Sequence, residues 1–235
     1  MNGEKPSFSS TYLVLLALFT TCLLVSNVIA GRLMNIGNIV LPSAVILFPI
    51  TYILGDVFTE VYGFKKTRLV IWIGFAANIL MSLVFLAAIA LPAPGFFSAK
   101  GAYATVLATT PRMVVASLVA YFMGEFGNSI TLSLLKKATK GRFLWTRTIS
   151  STVVGQAFDT GLFIFIGFAG TMPAGILVGM MGAQYLFKVA YEVLCTPITY
   201  AVVGAIKRRE GVDTFDVGVV YNPFGAFARR AGVQE

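Results

Sequence analysis

The stretch LVIWIGFAANILMSLVFLAAIAL (Leu69–Leu91) decides the fold of this chain. It contains no charged side chain, and a helix of this length, rising about 1.5 Å per residue, crosses roughly 30 Å of hydrocarbon. The stretch is apolar on every side, whereas a strand of a membrane barrel alternates apolar and polar residues. It therefore predicts a transmembrane helix.

Similar apolar windows recur along the chain, in which 57% of the 235 residues are hydrophobic and only 12% are charged. This composition is typical of an integral membrane protein and excludes an ordinary soluble domain. We predict an all-α membrane protein with six transmembrane helices in a bundle (residues 1–206) and a cytoplasmic tail (residues 207–235). The six predicted spans are Tyr12–Ala30, Ile39–Val61, Leu69–Leu91, Met113–Leu135, Ile149–Gly170 and Ile176–Ile206.

Lysine and arginine are distributed asymmetrically among the predicted loops. Fourteen of the 18 lie in the amino-terminal segment, the second and fourth loops and the tail, while the first, third and fifth loops hold Arg32, Lys100 and Arg112. By the positive-inside rule both termini are cytoplasmic, and we expect a multi-pass protein of the bacterial cytoplasmic (inner) membrane. The net charge of +8 then reflects topology and attraction to the lipid bilayer, and we expect no nucleic acid partner.

Two features of organisation follow from six spans. Halves of three spans have opposite orientations, so an internal 3+3 repeat must be inverted, and it would pair Asp56 of the second span with Asp159 of the fifth. The longest connection, Pro92–Arg112, has two open interpretations, a short segment folded at the membrane surface or a mobile loop.

The chain contains no histidine, which excludes imidazole metal sites and Ser-His-Asp catalysis. Cys22 and Cys195 both lie inside predicted spans, where cysteine acts more often as a small packing residue than as a redox group. We therefore expect neither a cofactor nor a metal.

Six ionisable side chains interrupt the predicted spans. A charge at membrane depth costs at least about 2.5–3.5 kcal/mol on insertion scales, so such residues usually face a protein interior or a water-filled path. The six are Asp56, Glu60, Glu125, Asp159, Lys188 and Glu192. Five acids and one base favour a ligand that is rich in hydrogen-bond donors or positively charged.

Helical periodicity places these charges on polar faces together with amides and tyrosines. We expect one cavity between the fourth, fifth and sixth spans, with Asp56 and Asn27 opposite. The residues expected to converge on it are Glu125, Gln156, Asp159, Lys188 and Glu192. The candidate substrate-binding residues are Asn27, Tyr52, Asp56, Asn78, Glu125, Asn128, Gln156, Asp159, Gln184, Lys188 and Glu192.

Three of the charges have a plain structural alternative. Lys188 and Glu192 are spaced i,i+4 and could neutralise each other as an ion pair. Glu60 lies close to the cytoplasmic surface and to Lys65 and Arg68, so an interfacial salt bridge is favoured over a substrate role.

Three separated motifs carry a family resemblance: FPITYILGDVFTEVYGFKKTR (Phe48–Arg68), FKVAYEVLCTPITY (Phe187–Tyr200) and EGVDTFDVGVVYNPF (Glu210–Phe224). Together they closely resemble the bacterial queuosine precursor transporters, also called the vitamin uptake transporter family. The resemblance implies import of 7-cyano-7-deazaguanine or 7-aminomethyl-7-deazaguanine for salvage into the queuosine of tRNA.

The charges are compatible with such a ligand, because one carboxylate can accept both N1–H and the exocyclic amine of a guanine-type edge. We expect Asp159 or Glu125 to make this contact, with Glu192 the next candidate. Stacking on the heterocycle would come from an aromatic side chain. The candidates are Tyr52, Tyr121 and Tyr191.

Two other classes remain as alternatives. The closer is a substrate-binding subunit of an energy-coupling-factor vitamin transporter, which also has six helices. The remoter is an intramembrane aspartyl enzyme built on Asp56 and Asp159, although the chain lacks the paired signature and enough spans for it. We expect a transporter rather than an enzyme. The sequence leaves open the preferred precursor, the energy coupling and whether the chain forms a homodimer.

Overall fold

A computed structural model describes residues 8–30, 32–36, 39–107, 111–170 and 173–226. Seven α-helices and one β-hairpin account for most of these residues. The helices are α1 (Ser10–Ile29), α2 (Phe48–Tyr62), α3 (Phe64–Ala90), α4 (Lys100–Leu107), α5 (Pro111–Ala138), α6 (Leu144–Phe168) and α7 (Ala174–Glu210). The hairpin consists of β1 (Leu33–Ile36) and β2 (Ile39–Pro42), and short 3₁₀ helices cover Ser43–Ile46 and Pro223–Ala226.

Five helices among the described residues, α1, α3, α5, α6 and α7, are long and apolar enough to cross a membrane. They confirm five of the six predicted helical segments. The sixth, α2, has 15 residues, and at about 1.5 Å per residue it is shorter than the roughly 30 Å of a hydrocarbon core. The protein is therefore a multi-pass helical membrane protein, and the count of six spans stays a prediction.

The prediction of one continuous helix over Ile39–Val61 is wrong. Its first part forms β2, which pairs antiparallel with β1 from Leu33↔Pro42 to Ile36↔Ile39. Pro49 stands in the first turn of α2, where the N–H that proline lacks would have no helical partner. The hairpin, an exception to the all-α prediction, satisfies backbone groups that a lipid environment would leave unpaired.

The connection Pro92–Arg112 contains the eight-residue helix α4, which favours a folded segment over a mobile loop. Residues 108–110 of this connection lie outside the described part of the chain.

Helices α5 and α6 pack closely because glycines face each other across their interface. A Cβ atom added at Gly124 would lie 2.8 Å from Cβ of Asp159, and one at Gly155 would lie 2.8 Å from Cβ of Asn128 and 2.9 Å from the Gly124 carbonyl oxygen. Small residues let helix backbones approach in this way. The close approach sets α5, which carries Glu125, directly against α6.

The chain after α7 folds back onto the bundle. The backbone N–H of Thr214 donates to the Val61 carbonyl over 3.1 Å, and the N–H of Phe64, at the start of α3, donates to Asp216 over 2.9 Å. Farther along, Trp72 Nε1 donates to the Pro223 carbonyl over 2.8 Å. We call residues 211–226 the docked tail, because these bonds tie it to α2 and α3.

Candidate functional site

A partly open cavity lies among α1, the 3₁₀ helix before α2, α5, α6 and α7. Its walls are mostly apolar, with polar groups from four helices. The lining residues are Leu23, Asn27, Ala30, Ala44, Val45, Ser117, Ala120, Tyr121, Asp159, Phe163, Gln184 and Lys188.

The cavity wall carries an ion pair between α6 and α7. Lys188 Nζ donates to Asp159 Oδ2 over 2.6 Å, and both side chains are almost fully buried. Each charge stabilises the other at a depth where either one alone would be costly. The i,i+4 spacing left open a pair of Lys188 with Glu192. Among the salt bridges of the described residues, Lys188 pairs with the acid of the neighbouring helix.

An amide cluster holds the α1 side of the cavity. Asn27 Nδ2 donates to Asn78 Oδ1 over 2.6 Å, and Ser117 Oγ donates to Asn27 Oδ1 over 3.0 Å. Asn78 in turn donates to the Gly74 carbonyl of its own helix over 3.2 Å. Asn27 is therefore fixed by α3 and α5 and presents a positioned amide to the cavity.

One helical turn from the cavity, three buried carboxyl groups form what we call the acid layer: Asp56 of α2, Glu125 of α5 and Glu192 of α7. Glu125 follows the wall residue Tyr121 by four positions, and Glu192 follows Lys188 by four. The Glu125 carboxylate reaches α2, because a Cβ atom added at Gly55 would lie 3.0 Å from its Oε2.

Hydrogen bonding within the acid layer is sparse. Asn128 Nδ2 donates to Asp56 Oδ1 over 2.6 Å. In the part of the chain that the structure describes, the other five carboxyl oxygens of the layer have no hydrogen-bond partner. Asp56 lies near enough to both glutamates to interact with them electrostatically, so the three carboxyl groups are close to one another.

Farther from the cavity, basic side chains surround Glu60. Its Oε1 accepts from Arg147 over 3.1 Å and from Lys207 over 2.7 Å, and lies 3.5 Å from Lys136 Nζ. An ion-paired role for Glu60 is confirmed, although its partners are cations from α5, α6 and α7 and not the predicted Lys65 and Arg68. We call Glu60 and these three cations the basic layer.

The docked tail joins this layer through Asp213, whose carboxylate lies 2.6 Å from Lys136 Nζ and 2.9 Å from Lys207 Nζ. Burial by itself raises the pKa of Asp213, but the hydrogen bonds from the two lysines outweigh it and hold the pKa below its ordinary value. The tail is therefore held by ion pairs at neutral pH.

The structure divides the eleven predicted site residues into groups. Asn27, Asp159, Gln184 and Lys188 line the cavity. Asn78 supports Asn27, and Asn128 supports Asp56. The remaining five lie away from the cavity wall and are buried or nearly so: Tyr52, Asp56, Glu125, Gln156 and Glu192.

Among the aromatic candidates, only Tyr121 is a wall residue. Its hydroxyl donates to the Ile71 carbonyl over 3.2 Å, which fixes the ring. Sequence reasoning missed Ser117 and Phe163 on the wall. Phe163 follows Asp159 by four residues and Ser117 precedes Tyr121 by four, so extending each polar face by one turn could have found both.

Residues 42–202 match a protein family described as "Putative vitamin uptake transporter". The chain is 28% identical over 156 residues to a protein of Bacillus subtilis (strain 168) named "Probable queuosine precursor transporter", a similarity that covers 66% of this chain and 68% of that protein. No solved structure is significantly similar. The family match favours transport over the coupling-factor subunit and the aspartyl enzyme. Because it spans more than half of the chain and the helices suit a membrane, the protein belongs to the vitamin uptake transporter family and is a multi-pass membrane transporter.

Proposed function

We propose that the protein imports 7-deazaguanine bases, 7-cyano-7-deazaguanine or its aminomethyl relative, for salvage into the queuosine of tRNA. The name of the Bacillus subtilis relative supports this substrate class. The structural observation that carries the proposal is the ion pair of Asp159 and Lys188 on the cavity wall.

The pair is complementary to a guanine-type edge. Such an edge presents a carbonyl acceptor beside two donors, N1–H and the exocyclic amine. The Asp159 carboxylate can accept both donors, while the Lys188 ammonium can donate to the carbonyl oxygen. An adenine edge presents a single amine donor beside the N1 acceptor, so the Asp159 carboxylate would accept one hydrogen bond from adenine instead of two.

The remaining wall groups suit the rest of a flat heterocycle. Phe163 is half-buried at the cavity, one turn from Asp159, and provides a ring for stacking. Gln184, one turn from Lys188, carries a buried Oε1 that accepts no hydrogen bond from the described part of the chain. That oxygen can accept from the aminomethyl group or from a ring N–H of the ligand.

The proposal includes six spans, cytoplasmic termini and residence in the bacterial inner membrane. Cysteine labelling tests the topology once Cys22 and Cys195 have been replaced by alanine. Lys65→Cys and Lys100→Cys both place the new thiol at an exposed position, on predicted opposite sides of the membrane. An impermeant reagent should label position 100 in intact cells and position 65 only after permeabilisation, and the reverse pattern would overturn the orientation.

Transport itself is tested in proteoliposomes. Vesicles loaded with unlabelled 7-cyano-7-deazaguanine should take up the labelled base by exchange, and excess guanine-type base should compete more strongly than adenine. Asp159→Asn should abolish exchange, because an amide nitrogen would oppose a ligand donor. Glu210→Gln, the matched control at the far end of α7, should retain it. Equal exchange by the Asp159→Asn variant would refute the carboxylate-edge contact, and no exchange by the parent protein would refute the substrate.

A further inference from the structure

The acid layer is a second polar site, separate from the cavity wall. Asp56, Glu125 and Glu192 do not line the cavity, and each is at most 1% exposed. Ordinary ion pairing does not account for them, since no salt bridge of the described residues includes any of the three.

The acid layer lacks hydrogen-bond donors. Five of its six carboxyl oxygens accept no hydrogen bond from the described part of the chain. An ionised carboxylate can only accept, whereas a protonated carboxyl gains one O–H donor. Gln156 Oε1, also buried and without a donor among the described residues, adds another acceptor on α6, one turn from Asp159. Protons on the carboxyl groups would supply the donors that these acceptors need.

The charges around the acid layer also favour protons as its ligand. The cavity wall and the acid layer together contain four acids and one lysine, and Lys188 is already paired with Asp159. Buried carboxyl groups without a cation are stable as neutral acids rather than as carboxylates. The titratable and charged groups that face the layer are Tyr52 and Glu60 of α2, Tyr121 of α5, Asp159 of α6, and Lys188 and Tyr191 of α7.

A proton suits the site better than a metal ion. Among the described residues, no group of three or more acidic or sulfur ligands is arranged to hold a metal. Three carboxyl groups on three different helices, near enough to interact yet too dispersed to coordinate one ion, can each still bind a proton.

The position of the layer gives such protons a function. Along α7 the order is Lys188 on the cavity wall, Glu192 in the acid layer and Lys207 in the basic layer. Along α5 the corresponding order is Tyr121, Glu125 and Lys136. The acid layer thus lies between the ligand cavity and the basic end of the bundle. A proton relay between the two sides of the membrane would occupy this intermediate position.

We propose that the acid layer is a proton-binding site that couples import of the ligand to inward movement of protons. In each cycle a carboxylate of the layer forms an O–H bond with a proton from the outer side. That bond breaks when the layer communicates with the cytoplasm, where the proton and the ligand are released. The carboxylate is regenerated, no electrons are exchanged, and the only co-reactant is the proton.

The test separates coupling from transport in proteoliposomes, and in this form it rests on the proposed substrate. Exchange of 7-cyano-7-deazaguanine without a gradient measures transport alone, and accumulation driven by an acidic exterior measures coupling. The parent protein should accumulate the base at least severalfold, and a protonophore should abolish the accumulation. Glu125→Gln and Glu192→Gln should keep exchange and lose gradient-driven accumulation. Glu210→Gln, the same change in an acid outside the layer, should keep both.

Accumulation that does not depend on the proton gradient, or that a sodium gradient drives instead, would overturn the proposal. Equal accumulation by the glutamine variants and the parent protein would also overturn it. Loss of exchange in the parent would defeat the proposed substrate without deciding the proton site. Infrared spectroscopy of the purified protein then decides it without a ligand. At neutral pH the parent should show the C=O stretch of protonated carboxyl groups, weakened in Glu125→Gln and Glu192→Gln but not in Glu210→Gln. A spectrum without this band would refute proton binding.

Discussion

Neutralising one member of the Asp159–Lys188 pair should destabilise the protein more than neutralising both. The two side chains are 6% and 3% exposed and their charged atoms are 2.6 Å apart, so solvent screens the pair little. Removing one partner from a buried ion pair costs about 3–5 kcal/mol because the other charge is left uncompensated. In a chain of this size each 1 kcal/mol lowers the melting temperature by roughly 2–4 °C. Asp159→Asn and Lys188→Gln alone should therefore each lower it by about 6–20 °C.

The double variant Asp159→Asn/Lys188→Gln contains no buried charge at this place and should recover most of that loss. Thermal unfolding in one detergent, analysed as a double-mutant cycle, measures the difference. Binding of the base should be lost in all three variants, which separates the role of the pair in recognition from its role in stability. If the double variant lost as much stability as the two single variants lose in sum, the two charges would act independently and the predicted coupling would be refuted.

Three further predictions concern the helix interface, the wall and the tail. Gly155→Ala should cost about 1–3 kcal/mol of stability, because the new Cβ would lie 2.9 Å from the Gly124 carbonyl oxygen. In the control variant Gly161→Ala the new Cβ meets nothing within 4 Å, so this variant should lose no stability. Equal melting temperatures of the two variants would contradict the prediction. Phe163→Leu should weaken base binding by about 1–3 kcal/mol if the ring stacks on the ligand, and unchanged affinity by calorimetry would exclude stacking there. Lys136 and Lys207 lower the pKa of Asp213 by more than burial raises it. The stabilisation of the docked tail by Asp213 is therefore complete above the ordinary aspartate pKa of about 3.9 and is lost as pH falls through the lower folded value. Hydrogen exchange of residues 211–226 should stay slow from pH 7 to 5, and opening of the tail in that range would contradict the assignment.

The long helices could be predicted from sequence because a bilayer imposes a simple rule of length and apolarity. That rule failed at Ile39–Val61, where hydropathy alone does not distinguish a helix from a paired hairpin. Two prolines lie in that window. Pro42 is the last residue of β2 and Pro49 stands in the first turn of α2, both places that tolerate a residue without an N–H to donate.

The polar groups of the site could also be predicted, but not their partners. The spacing of Lys188 and Glu192 allowed a local pair, whereas the packing of α7 against α6 brings Lys188 Nζ within 2.6 Å of Asp159 Oδ2. Helical periodicity describes one helix and contains no information about the helix that packs against it. For the same reason the contact of Asp213 with Lys136, 77 residues away, could not be read from local pattern.

The proposed function depends on recognition of a guanine-type edge by Asp159 and Lys188. Equilibrium binding of 7-cyano-7-deazaguanine to the purified protein, compared with adenine and with an analogue that lacks the exocyclic amine, tests it most directly. We predict that the base binds and that adenine competes more weakly than a guanine-type base. Losing one charge-assisted hydrogen bond with the amine should weaken binding by about 1.5–3 kcal/mol, or roughly ten- to a hundredfold. Asp159→Asn should bind neither the base nor this analogue. Equal affinities for the base and its deaminated analogue, in the parent protein, would contradict the account.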